Sequence, residues 1–181
     1  MKRFTPILSL VALCWVVFVV NNIILHGALT PYGIHPRQVG SLPGIVFSPF
    51  LHGSFAHLAA NTLPLLILGV IISARSKADF IGVTAIGIIL GGGLVWLLAR
   101  SADHIGASGL IFCYFGFLTS RAWFDRTILT FVVALICLVG YGGILFGILP
   151  LFPGVSWEAH LAGLIAGVAS AKMLATKTRK S

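Results

Sequence analysis

Residues 51–69 read LHGSFAHLAANTLPLLILG. A polar head with two histidines and an asparagine runs into an uncharged apolar tail. Continued through Val70–Ser73, the stretch is long enough to cross the hydrocarbon core of a bilayer as a helix. Its polar residues then fall at the start of the crossing. His57 and Asn61 are four apart and share a helix face. His52 lies five before His57, about 140° away round the axis.

The remaining chain is built in the same way. Of 181 residues, 58% are hydrophobic and 9% charged, and the mean hydropathy is +1.05. A soluble domain carries about 25% charged residues, so this composition cannot clothe a water-facing surface. Most of the surface must face lipid, and membrane lipid is the first expected partner. At about 20 apolar residues per crossing, six spans emerge, at approximately residues 5–25, 53–73, 80–99, 106–122, 127–148 and 158–175. The run Phe4–Leu25 is longer than the roughly 7–15-residue apolar core of a signal peptide and reads as the first span. The expected fold is therefore an all-α membrane protein. It forms one domain over residues 1–181, with short basic ends at about 1–4 and 176–181.

The net charge of +8 is distributed as topology signals rather than as a patch. Lys2, Arg3, Arg75, Lys77, Arg121, Arg126, Lys172, Lys177, Arg179 and Lys180 fall on one side of the six-span scheme, Arg37 and Arg100 on the other. Ten cations against two put both termini in the cytoplasm by the positive-inside rule. The clusters lack the interleaved aromatics of a nucleic-acid surface, so nucleic acid is not an expected partner. Cys14, Cys113 and Cys137 sit inside apolar segments without CxxC spacing and read as free packing thiols. The first outside connection, residues 26–52, holds Pro31, Pro36, Pro43 and Pro49 beside Ile34, Val39, Leu42, Ile45, Val46, Phe47, Phe50 and Leu51. A loop this apolar is expected to lie partly in the outer leaflet against the bundle.

Chemistry has to come from few residues. Asp79, Asp103 and Asp125 lie at span ends and Glu158 near the start of the last helix, so no acid occupies a span centre. That excludes a membrane-embedded aspartate pair and an H-E-x-x-H zinc site, and it weakens proton- or sodium-coupled transport. What remains is IGASGLIF at 105–112, with Ser108 between glycines, and SWEAHLAGLIAG at 156–167, with His160 one turn into its helix. Together with residues 51–61, these stretches sit at outside-facing span ends. A serine, two histidines and an amide thus share one depth. Taken singly, each has a plainer reading. Ser108 can bond back to its own helix, Asn61 to a neighbouring helix, and the glycines can serve packing alone. His26, His35 and His104 read as loop or interfacial residues. Residue type alone would allow a metal at His52, His57 and His160. The Ser/His/Asn mixture suits acyl transfer better, and no metal or cofactor is expected.

In order and spacing, His52, His57 and Asn61 (H-x4-H-x3-N), then Gly106, Ser108 and Gly109 (G-x-S-G), then Ala159, His160, Gly163 and Gly167 (A-H-x2-G-x3-G) resemble the rhomboid intramembrane serine proteases. The resemblance runs from about Tyr32 to Gly167, and the span count is similar to the minimal bacterial form. It implies a six-transmembrane-helix rhomboid bundle acting as a serine endopeptidase on single-span membrane proteins. The implied setting is a bacterial plasma (inner) membrane, with the active site opening to the outside face. Residue by residue, it implies Ser108 as nucleophile and His160 as base, a dyad without a carboxylate. His57, Asn61 and the Ser108 backbone form the oxyanion hole. Gly106, Gly109, Gly163 and Gly167 allow close approach, and His52 supports the loop. Phe112 stacks on the base where some members carry tyrosine. The fifth span, with Gly140, Gly142 and Gly143, is the expected mobile gate. The alternative is an inactive relative that binds transmembrane segments without cutting them.

Overall fold

A computed structural model describes residues 2–151 and 154–175. The basic tail at 176–181, with Lys177, Arg179 and Lys180, lies outside the described residues. Six long helices follow one another: α1 (Thr5–Ile24), α2 (Phe55–Arg75) and α3 (Lys77–Leu98), then α4 (Ser108–Asp125), α5 (Ile128–Ile148) and α6 (Trp157–Met173). Among the described residues no strand forms beyond one antiparallel bridge between Ile34 and His104.

Helices α1, α2, α3 and α5 are each long and apolar enough to cross a membrane. Helices α4 and α6 fall short of that combination of length and hydropathy, and the reason is where they sit. Every residue of α4 from Leu110 to Leu118 is buried, so protein rather than lipid surrounds it. A helix solvated by its neighbours tolerates Tyr114, whose hydroxyl meets Thr84 Oγ1 at 2.7 Å, and a charged last turn. Helix α6 is short, 17 residues, and packs along α4 as its main partner. Helix α5 is the opposite case. Ile128, Phe131 and Val139 point outward, and the helix leans chiefly on α4.

Between helices in lipid there is little hydrophobic drive, so association depends on close packing. The α4–α6 seam achieves it with glycine. A Cβ on Gly163 would land on the Gly109 carbonyl oxygen, and one on Gly167 on the Cys113 carbonyl and 2.8 Å from the Phe117 nitrogen. From the other side, a Cβ on Gly116 would come 2.7 Å from the Leu164 oxygen. The two backbones therefore run in contact for over two turns.

One end of the bundle is tied by charge. Asp125 accepts from Arg121 at 2.6 Å and from Arg75 at 2.7 Å, and Arg75 reaches Asp79 at 3.0 Å. Arg3 donates to the Ala74 carbonyl at the same end. The arginines, read from sequence as topology signals, and the span-end aspartates thus join α2, α3 and α4. At the other end the connection 25–54 is a chain of single helical turns pinned to the bundle. Leu29 N donates to the buried Asn21 Oδ1 (2.8 Å), Arg37 Nη1 to the Ala99 carbonyl (2.7 Å) and Trp96 Nε1 to the Gln38 carbonyl (3.0 Å). Its backbone groups are thus met by protein, while Tyr32, Val39 and Phe47 remain exposed.

The seam yields a direct expectation. Gly167→Ala overpacks two backbones at about 1–3 kcal/mol, which outweighs the helix-propensity gain of about 1 kcal/mol. Its unfolding midpoint in detergent falls, while Gly140→Ala, where a Cβ meets nothing within 4 Å, keeps or raises it. An undisturbed Gly167→Ala protein would contradict the packing.

Candidate active site

Ser108 is the first residue of α4. The chain reaches it through Gly106, whose φ of +110° is a conformation that side-chain-bearing residues rarely adopt. That turn presses the backbone against α2. A Cβ on Gly106 would lie 2.6 Å from His57 Cε1 and Nε2 and 3.7 Å from Asn61 Nδ2. The backbone N–H groups before the helix are occupied: Gly106 N donates to the Ser48 carbonyl (2.8 Å) and Ala107 N to His52 Nε2 (3.4 Å). Those of the first turn, starting at Ser108, have no carbonyl one turn back to bond. They point with the positive end of the helix dipole toward the space beside Ser108.

That space is an open pocket of about 570 Å³ lined by Ser108, His160, His57, Asn61, Ser54 and Ser156 among others. Helix α2 supplies His57 and Asn61 on one face, as their spacing requires. Asn61 Nδ2 gives one hydrogen to the His57 carbonyl (3.0 Å), which leaves a second to donate. His52 stands behind them, edge-on to His57 with ring centres 5.0 Å apart. Burial, and then the neighbouring His57, push His52 down to about 4. It is neutral at physiological pH. With Nε2 accepting from Ala107, Nδ1 carries the proton and donates to the Phe50 carbonyl at 3.4 Å. His52 thus buttresses the turn that delivers Ser108.

His160 enters from α6, one turn after its N-cap Ser156, and is buried except at the pocket. Its ring lies flat on Phe112, centres 4.3 Å apart and planes 9° from parallel. Its Nδ1 meets the Gly147 carbonyl at 2.8 Å. A carbonyl only accepts, so Nδ1 carries the hydrogen and Nε2 of the neutral ring is a lone-pair acceptor.

The structure brings Ser108, His160, His57 and Asn61 to one pocket and places His52, Gly106, Phe112 and the α4–α6 glycines around it. Two features were not read from the sequence. Gly140, Gly142 and Gly143 have open space where a Cβ would be, and the α5 residue that touches the site is Gly147. A Cβ there would sit 2.9 Å from His160 Nδ1 and 3.1 Å from Phe112 Cζ. Nothing in the spacing distinguished it from the other α5 glycines. His104, expected as a loop or interfacial residue, lies in the connection before α4 but is buried at 2% exposure, with its Nδ1 2.6 Å from Ser156 Oγ. Ser156 is also the N-cap of α6, its Oγ accepting from Ala159 N at 3.2 Å.

The family model described as the Rhomboid domain matches residues 39–177. An uncharacterized protein of Mycobacterium tuberculosis is 41% identical over 98% of this chain and 77% of its own length. One of Mycobacterium leprae is 39% identical over 97% of this chain and 72% of its own. A RHOMBOID-like protein 4 of Arabidopsis thaliana is 34% identical over 65% of this chain and 30% of its own length.

The His160 geometry can be read spectroscopically. Histidine nitrogen NMR of the selectively labelled protein is expected to show the neutral His160 protonated at Nδ1. A ring protonated at Nε2 would contradict the Gly147 contact.

Proposed function

The chain belongs to the rhomboid family, and from that premise we propose that it is an intramembrane serine endopeptidase working through Ser108 and His160. The observation that carries this reading is the state of His160. Its Nδ1 is tied to the Gly147 carbonyl, its ring is clamped on Phe112, and it shares a pocket with a serine at a helix N-terminus.

In this reading His160 Nε2 takes the Ser108 hydroxyl proton as Oγ attacks the scissile carbonyl. The tetrahedral oxyanion forms against the first-turn N–H groups of α4, with His57 and Asn61 donating from α2. The imidazolium is held without a carboxylate by the Gly147 carbonyl. It returns the proton to the leaving amine, and a water activated by the same Nε2 then releases the acyl group. The pocket is open, so water reaches it. The substrate is a single-span membrane protein whose helix unwinds locally to expose a peptide bond, which favours small, helix-weakening residues near the cut. The described chain acts as one six-helix unit in a bacterial inner membrane. Its cation-rich end, with Arg3, Arg75 and Arg121, is cytoplasmic, and the pocket end faces outside.

Cleavage of a single-span substrate in proteoliposomes tests the reading. Wild type cuts, Ser108→Ala and His160→Ala do not, and Asn61→Ala loses on the order of 10²–10³ in kcat. A wild type that binds the substrate without cutting it would instead favour a recognition protein, and a Ser108→Ala variant that cuts would remove Ser108 from the chemistry.

A further inference from the structure

The dyad spans two helices, so something must set their relative position at the outside end, where the glycine seam stops. Ser156 and His104 meet there at 2.6 Å, 52 residues apart in sequence. His104 Nε2 lies 3.1 Å from the Arg100 carbonyl, which can only accept, so Nε2 carries the hydrogen and Nδ1 accepts from the Ser156 hydroxyl. The same hydroxyl oxygen accepts from Ala159 N (3.2 Å), and the Ser156 carbonyl accepts from His160 N (3.2 Å). Each polar atom of this chain of groups is therefore committed.

Both partners are placed to transmit position. Ser156 holds the backbone of His160 itself. His104 lies four residues before Ser108, and its own N–H and carbonyl bond Ile34 on the first connection, both at 3.0 Å. His104 is 2% exposed, so water does not compete for its ring. A second tie runs alongside: Arg100 Nη2 donates to the Val155 carbonyl (2.9 Å), and Arg100 Nη1 approaches Glu158 at 3.4 Å. Arg100 is half exposed and Glu158 10% exposed, so this partly solvated pair adds to the buried His104–Ser156 contact rather than replacing it.

We propose that His104 and Ser156 are positioning residues, a hydrogen-bonded staple that locks the start of α6, and with it His160, against the segment that delivers Ser108. The proposal rests on the serine endopeptidase reading and adds to it two residues that act through the placement of His160 rather than on the reacting atoms, although Ser156 also lines the pocket. Displacing a base by about 1 Å is enough to cost on the order of 10² in rate, so the staple acts on kcat and leaves substrate binding alone.

The test is steady-state cleavage of a single-span substrate in proteoliposomes, with kcat and KM resolved for paired variants. Ser156→Gly keeps the helix cap nearly intact but removes the hydroxyl, and Ser156→Thr keeps both. His104→Leu removes the acceptor, and His104→Asn restores one at the Nδ1 position through Oδ1. Ser156→Gly and His104→Leu are expected to lower kcat by about 10²-fold with KM within about twofold. Ser156→Thr and His104→Asn should recover most of the loss. If His104→Leu does not fold, the Ser156 pair decides alone. Wild-type kcat in Ser156→Gly, failure of Ser156→Thr to recover, or an effect confined to KM overturns the staple while leaving the dyad standing. A wild type no more active than Ser108→Ala overturns the enzymatic reading and the staple with it.

Discussion

Where Gly163 faces the Gly109 carbonyl, two helices of the bundle touch backbone to backbone. Most of the architecture follows from that approach. A serine at the head of α4 and a histidine one turn into α6 open into one pocket because nothing larger than hydrogen separates their helices at Gly163, Gly167 and Gly116. Lipid supplies no force to push them together. The contact must come from shape, and shape here means missing side chains. The same requirement explains why α4 is the innermost helix, closed in by its neighbours, and why it can carry Tyr114 and a buried Arg121–Asp125 pair.

The second constraint is that backbone polar groups at membrane depth must find protein partners. The first connection meets it residue by residue, through Asn21, Arg37, Trp96 and the Ile34–His104 bridge, and Ser48 and His52 extend the same network to the turn before Ser108. Structural hydrogen bonding and the proposed chemistry are therefore continuous. The groups that satisfy the loop also fix the turn in which Ser108 begins its helix. Among the described residues helix α5 meets this network at Gly147, whose carbonyl links its position to the orientation of His160.

Much of this was legible in the sequence because membrane physics narrows the choices. Apolar length gave the helices to within a few residues, and i, i+4 spacing put His57 and Asn61 on one face. The Ser108, His160 and glycine motifs named the family that the domain match bears out. What was not legible depended on three-dimensional pairing. His104 read as a loop or interfacial residue, as a lone histidine near a span end usually does, and only the structure supplies Ser156 as its partner. Gly147 was hidden among α5 glycines of equal appearance. Arg121 was read only as a topology cation and Asp125 only as an acid at a span end, and the structure buries both and bonds them to each other. In each case residue type was informative, but the partner lay 4 to 52 residues away along the chain.

The central claim is that Ser108 alone is the activated hydroxyl of this pocket, although Ser54 and Ser156 line it too. A fluorophosphonate reacts with a serine whose hydroxyl is deprotonated by a neighbouring base, so the most direct measurement is peptide mapping of the protein after such labelling in membranes. A phosphonyl adduct is expected on Ser108 and is lost in His160→Ala. An adduct on Ser54 or Ser156, or labelling that persists without His160, would contradict it.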